Sequence, residues 1–295
     1  RAPSTICREI RRHGGRNAYR ATRADRRAWR RARRPKFCLL YRHPPLCRAV
    51  ASRLRRQWSP QQISAWLVQC YPNDQSMRVS HETIYRTLFI QTRGVLKKEL
   101  LAHLRTRRLQ RRTHRAHRPR GGSISGELSL AQRPAEAEDR AVPGHWEGDL
   151  ISGSNQSHIA TLVERHSRFV MLVKVRDKNS VHIATSLARK IRRLPVTLRR
   201  SLTWDRGIEM AAHRDFTVAT DVKVYFCDPY SPWQRGSNEN TNGLLRQYFK
   251  KGTDLSVYSQ RQLDAVAQRL NQRPRQTLGW LTPAHTLSKT VASTD

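Results

Sequence analysis

Three acidic residues in a strongly basic chain have the types and setting of hard-cation ligands. Asp149 lies inside the run GHWEGDLI, Asp205 follows SLTW and opens Asp-Arg-Gly, and Glu239 falls within PYSPWQRGSNENTNGLLRQYF. A carboxylate inside an apolar strand is costly without a partner. Three carboxylates brought together raise one another's cost of ionising, and a divalent cation relieves it. Oxygen donors with open positions suit Mg²⁺ (or Mn²⁺), and two ions about 3.5–4 Å apart would activate an oxygen nucleophile and stabilise a leaving oxygen in phosphodiester chemistry. Each acid has an ordinary alternative. Asp205 could cap a turn, Glu239 could be a solvated helical residue, and Glu147 competes with Asp149 because residues two apart on a strand share a face.

These acids can meet only if the chain folds so that they do. From residue 144, GHWEGDLISG, SHIATLVERHS and RFVMLVKV read as three strands in an antiparallel meander. Residues 179–194 read as a helix with Val181, Ile183, Ala184, Leu187 and Ile191 along one side. SLTW is a strand, residues 212–219 are helical, VKVYFC is a strand, and a Pro- and Gly-marked loop then enters a helix carrying Glu239. This order is that of an α/β ribonuclease H-like domain, expected over residues 144–290. The long crossover lets the fourth strand lie parallel beside the first. Asp149 and Asp205 then become neighbours although 55 residues separate them.

The N-terminal part reads as all-α. In WSPQQISAWLVQCY, Ser59, Pro60 and Gln62 form a helix start with a capping box, and Ile63, Trp66 and Leu67 share a face. After Pro72, Asn73 and Asp74, VSHETIYRTLF starts a second helix with Ser80 as cap and Ile84 and Leu88 as its apolar stripe. The pair reads as a helix-turn-helix over residues 51–104, with Ser80, His81, Thr83 and Arg86 exposed towards base edges. A plain helical hairpin is the alternative. PSTICREIRRH, with Ser4 as candidate cap and Arg8, Arg11 and Arg12 outward, reads as a recognition helix whose first partner precedes it, within a remnant unit and basic arm over residues 1–50. Residues 105–143, Arg-rich and then marked by Gly and Pro, read as a linker.

The charge supports this division. The 295 residues hold 57 Lys plus Arg against 22 Asp plus Glu, a net charge of +35. Residues 1–120 contribute 32 basic and 5 acidic side chains, so 27 of the surplus lies there. A folded chain of this charge points to double-stranded DNA as partner. No apolar run approaches the ~20 residues of a membrane-spanning helix, so a soluble protein acting away from the membrane is expected. The five cysteines form no Cys-x-x-Cys pair, and the spacing of His43 with Cys38 and Cys47 matches no common zinc pattern. A reducing, cytoplasmic compartment is expected.

The strings GHWEGDLI, LTWDRGIEM, PYSPWQRGSNENTNGLLRQYF and LNQRPRQTLGWLTPAH resemble the catalytic signature of the insertion-sequence-thirty family of DDE transposases, including the 33 residues between Asp205 and Glu239. The resemblance extends back through WSPQQI and VSHETIY, over nearly the whole chain. It implies that Asp149, Asp205 and Glu239 are the metal-binding catalytic acids and that Arg246, seven residues after Glu239, lies near the DNA, with Lys250 extending the same face and Lys251 a quarter turn away. It implies DNA transposition, with strand cleavage and strand transfer at terminal inverted repeats, by a homo-oligomer on element ends and target DNA in the bacterial nucleoid. Against that family the chain starts late, at its apparent recognition helix, and is expected to be N-terminally truncated. A DNA-binding regulator would leave the three acids unexplained, a retroviral-type integrase would add a His/Cys zinc module, and a nucleic-acid packer would have no use for the carboxylates.

Overall fold

Helix-start chemistry sets the N-terminal elements. The computed structural model describes residues 2–32, 39–89, 100, 103–104, 128–129, 142–205, 207–228 and 232–292. α1 (Pro3–Arg12) starts with Pro3 at its first position and Ala2 as N-cap, with no side-chain cap. Ser4, the expected cap, is instead inside the first turn, because the proline preorganises the helix one residue earlier. α2 (Gly15–Ala18), α3 (Ala21–Ala32) and α4 (Leu39–Arg42) follow. α5 (Pro44–Arg55), α6 (Pro60–Cys70) and α7 (His81–Phe89) enclose one core of Leu46, Val50, Leu54, Ile63, Leu67 and Ile84, reaching back to Leu40 and on to Leu104. The boundary expected between residues 50 and 51 falls inside α5, whose buried face needs α6 and α7.

The Ser59 capping box at α6 is present, with Ser59 Oγ accepting from the Gln62 amide and Gln62 Oε1 accepting from the Ser59 amide. Trp66, half-buried, stacks under the Arg53 guanidinium at 4.1 Å and meets Trp58 edge-on. A 10-residue connection, residues 71–80, leads to α7, longer than the 3–4 residues of a compact helix-turn-helix.

Among the described residues six strands form the sheet: β1 (Leu128–Ser129), β2 (His145–Ser152), β3 (His158–Glu164), β4 (Val170–Lys174), β5 (Ser201–Trp204) and β6 (Lys223–Phe226), in the order β1-β6-β5-β2-β3-β4. β2, β3 and β4 are the antiparallel meander, and β5 lies parallel to β2. β1 adds a strand that no alternation announces, two residues pairing parallel with β6 inside the stretch expected to be linker. Most of that stretch lies outside the described residues.

Every residue of β3 is buried, which requires cover on both faces. α8 (Ser180–Ile191) and α9 (His213–Thr220) cover one face, burying Trp146, Ala160, Leu162, Leu187 and Phe216. α10 (Gly236–Leu245) and α11 (Gln260–Asn271) cover the other, burying Ile151, Ile159, Val163, Leu245 and Leu263. Val181, expected on the apolar side of α8, is instead 53% exposed, since Asn179 caps the helix and Val181 lies in its outward first turn. α12 (Pro283–Ala292) is the last of the described elements.

The helical region docks on the loop between α11 and α12. Gln62, while capping α6, donates from Nε2 to the Pro274 carbonyl, and buried Arg273 donates to Gln247, Tyr248 and Gln57. Among the described residues no helix is long and apolar enough to cross a membrane.

Candidate active site

Parallel register carries two of the acids to one edge. β2 and β5 pair Glu147 with Thr203, so Asp149 and Asp205 emerge side by side where the strands end. Gly148 permits this approach, because a Cβ there would fall within the ring of fully buried Trp204 on β5. One guanidinium spans the two acids. Arg235 Nη1 lies 3.4 Å from Asp149 Oδ1 and Nη2 lies 3.2 Å from Asp205 Oδ2, and Nη1 also donates to the Gly148 carbonyl. Asn242 Nδ2 donates to Asp149 Oδ2 at 2.8 Å.

Burial pushes the Asp149 carboxyl up to about 6, with Arg235 opposing the rise and Asp205 adding to it. For Arg235 burial works downward, but Asp149, Asp205 and Cys227 outweigh it and hold the guanidinium above its ordinary value. The site is therefore a pair of carboxylates bridged by one guanidinium.

Glu147 has a different role from its neighbour. As expected of residues two apart, both point towards α10, but Glu147 is fully buried. Its Oε2 accepts from the Asn238 amide at 3.0 Å, its main-chain carbonyl accepts from Asn238 Nδ2, and Oε1 lies 3.4 Å from Arg165 Nε. Thr161 Oγ1 donates to Asn238 Oδ1 in turn. Glu147 ties the first turn of α10 to the sheet, where a carboxylate also complements the helix N-terminus.

Glu239 is exposed on α10, the residue after Asn238. It stands four residues after Arg235 and three before Asn242, both of which touch Asp149, so the helical repeat puts it on the same stripe. Among the described residues, no three His, Cys, Asp or Glu side chains stand close enough to hold an ion jointly. The two aspartates and Glu239 nonetheless fit a divalent cation by donor chemistry. All three offer hard oxygens, and the buried Asp205 Oδ1 and Asn242 Oδ1 have no hydrogen-bond partner among the described residues.

Comparison with known proteins gives the family. Residues 139–232 match the integrase core domain family. The transposase InsI of insertion sequence element IS30A from Escherichia coli K12 is 49% identical over 100% of this chain and 78% of its own length. The transposase of IS1086 from Cupriavidus metallidurans is 48% identical over 99% of this chain and 87% of its own. The chain belongs to the IS30 family of insertion-sequence transposases. The transposase of IS4351 from Bacteroides fragilis is 35% identical over 95% of this chain and 84% of its own. The solved catalytic core domain of BIV integrase is also similar, 19% identical with a TM-score of 0.39 over 52% of this chain and 99% of that one.

In this IS30-family chain the remaining expected residues take these positions. Arg246 caps the C-terminus of α10 with helical backbone angles and donates to the Ser152 carbonyl at 3.3 Å, beyond Asp149 on β2. Burial lowers its basicity from the ordinary value. Lys250 does not extend the helical face, nor does Lys251 lie a quarter turn from it on that helix. α10 stops at Leu245, and the chain turns so that fully buried Phe249 meets Tyr258 edge-on. Both lysines lie in the exposed loop that follows.

On α7, Ser80 Oγ accepts from the Thr83 amide and bonds its hydroxyl, so both hydroxyls serve the cap, while His81 and Arg86 are exposed. Arg8, Arg11 and Arg12 are exposed on α1. Cys38 lies outside the described residues; Cys7 and Cys70 are exposed, and Cys47 and Cys227 are buried. Sequence reading missed Arg235, Asn238 and Asn242. Arg235, Glu239, Asn242 and Arg246 follow at intervals of four, three and four, a one-face polar stripe that pointed to the first and last of these three contacts.

Proposed function

We propose that this chain is the DNA transposase of an insertion sequence, binding terminal inverted repeats through its basic helical region and cutting and joining DNA strands with Asp149, Asp205 and Glu239 as metal-binding acids. The observation that carries the reading is the pairing of Asp149 and Asp205 at adjacent parallel strand ends around one cation, in a chain of the IS30 transposase family. Bound Mg²⁺ or Mn²⁺, as two ions, would supply Lewis-acid activation of the attacking oxygen and charge neutralisation at the phosphodiester.

The protein's part is to position. Glu147 and Asn238 fix the start of α10, Asn242 orients Asp149, and Glu239 on the adjoining turn completes the acidic set. Water is the first attacking group and frees a 3′ hydroxyl, which then attacks a target phosphodiester in the same site. No covalent protein–DNA intermediate forms. Arg246 and Lys250 serve the DNA beside the acids. Arg8, Arg11 and Arg12 of α1, and Ser80, His81, Thr83 and Arg86 of α7 acting as a helix-turn-helix, serve the element ends. Phosphate contacts from the basic N-terminal region would make binding steeply salt-dependent. A homo-oligomer acting on element ends and target in the bacterial cytoplasm, at the nucleoid, completes the proposal.

The test is incubation with supercoiled plasmid carrying two element ends, in Mg²⁺ and in EDTA. Metal-dependent breaks at the ends are expected. DNA binding without metal-dependent breaks would leave a DNA-binding regulator instead.

A further inference from the structure

Arg235 is the cation that the two aspartates already have. Its guanidinium reaches both carboxylates and the Gly148 carbonyl, and its side chain is only 12% exposed. A planar fork fits two carboxylates in this way, whereas an ammonium cannot reach both with two prongs. The residue lies at the N-cap of α10, where a mobile 3-10 turn is not required to explain its reach: Pro232–Arg235 leads straight into the helix.

Resting on the reading of Asp149 and Asp205 as metal ligands, we propose that Arg235 is a positioning residue that holds the two aspartates together in the metal-free protein, yields that space when a divalent cation binds, and then turns its guanidinium to a DNA phosphate. Three observations support the exchange. Arg235 lies between the oxygens an ion would share. Buried Asp205 Oδ1 remains without a donor among the described residues although Arg235 is beside it, so the guanidinium does not saturate the pair. Arg235 also shares the polar stripe of Glu239 and Asn242, so its stem starts on the side of the helix that faces the acids. A freed guanidinium there has a bidentate partner in phosphate.

The test is Mn²⁺ binding by calorimetry to the full chain and to Arg235→Gln, Arg235→Lys and Asp149→Asn. If Arg235 competes with the ion, the glutamine variant binds Mn²⁺ about tenfold or more tightly than the parent, since a positive charge within about 4 Å is removed. The lysine variant, keeping the charge but not the fork, falls between them, and serves alone if the glutamine variant does not fold. Despite its tighter metal, the glutamine variant cuts end-bearing DNA at least tenfold more slowly, an opposition that simple loss of structure would not produce. Equal or weaker Mn²⁺ binding by both Arg235 variants, with binding lost in Asp149→Asn, overturns the exchange and leaves the metal site standing. Mn²⁺ binding unaffected by Asp149→Asn overturns the metal-site reading itself. Cleavage by Arg235→Gln at the parent rate overturns the phosphate step.

Discussion

Replacing Glu147 by alanine separates an anchoring carboxylate from a metal-binding one. The side chain is fully buried, accepts from the Asn238 amide at 3.0 Å and faces Arg165, itself 5% exposed, at 3.4 Å. Breaking a buried charge pair from one side costs about 3–5 kcal/mol, and leaving a buried amide without its acceptor costs about 1–3 kcal/mol. The two losses share one carboxylate and do not simply add, so about 3–5 kcal/mol is expected for Glu147→Ala. For a domain of this size that lowers the melting temperature by on the order of 10 °C. Glu147→Gln keeps an oxygen for the Asn238 amide but still breaks the charge pair with Arg165, so its cost is expected at the lower end of that range, about 3 kcal/mol. Because Glu239 follows Asn238 directly, cleavage should fall with alanine and return largely with glutamine. Scanning calorimetry of the three proteins in EDTA measures the stabilities. A loss below about 1 kcal/mol for alanine, together with loss of Mn²⁺ binding, would refute the anchoring role and make Glu147 a ligand.

Gly148→Ala forces a methyl group into the buried Trp204 ring, and overpacking of this kind costs about 1–3 kcal/mol or more; calorimetry showing unchanged stability would contradict the close β2–β5 approach. Asp149 titrates at about 6 in the fold against an ordinary 3.8. The folded, metal-free protein therefore binds the extra proton, and the associated stability, at most about 3 kcal/mol, is fully present below pH ~4 and lost as pH rises through about 6. Asp149→Asn should remove that slope from the pH–stability curve in EDTA, and superimposable curves would count against the buried setting of Asp149. Arg273→Ala removes donors to Gln247 and Tyr248 within the sheet domain and, across the junction, to Gln57, each charge-assisted bond being worth about 1.5–3 kcal/mol. Calorimetry should then show the helical region melting apart from the sheet domain; an unchanged thermogram would mean that this junction does not couple them.

The parts of the fold legible in the sequence are those set by local chemistry. Ser59 and Gln62 announce a helix start because both capping partners lie within one turn, and the meander after residue 144 announces itself by its apolar runs. The neighbourhood of Asp149 and Asp205 follows from element order, since a crossover long enough for a helix allows parallel pairing. What was not legible depends on distant partners. Arg235 reads as one arginine among many until β2 and β5 bring two carboxylates to it. Glu147 and Asp149 are equivalent by alternation, and only the docking of Asn238 separates a buried anchor from an edge carboxylate. The end of α10 is set by the burial of Phe249 against Tyr258, which helical spacing of the basic residues does not reveal. β1, at two residues, is too short to carry any period.

The central claim is that Asp149, Asp205 and Glu239 act together in cutting DNA. The most direct measurement is strand cleavage of end-bearing DNA in Mg²⁺ by Asp149→Ala, Asp205→Ala and Glu239→Ala, with binding of the same DNA measured alongside. Each variant should lose cleavage while retaining most of its DNA binding. Full cleavage by any one of the three would contradict the account.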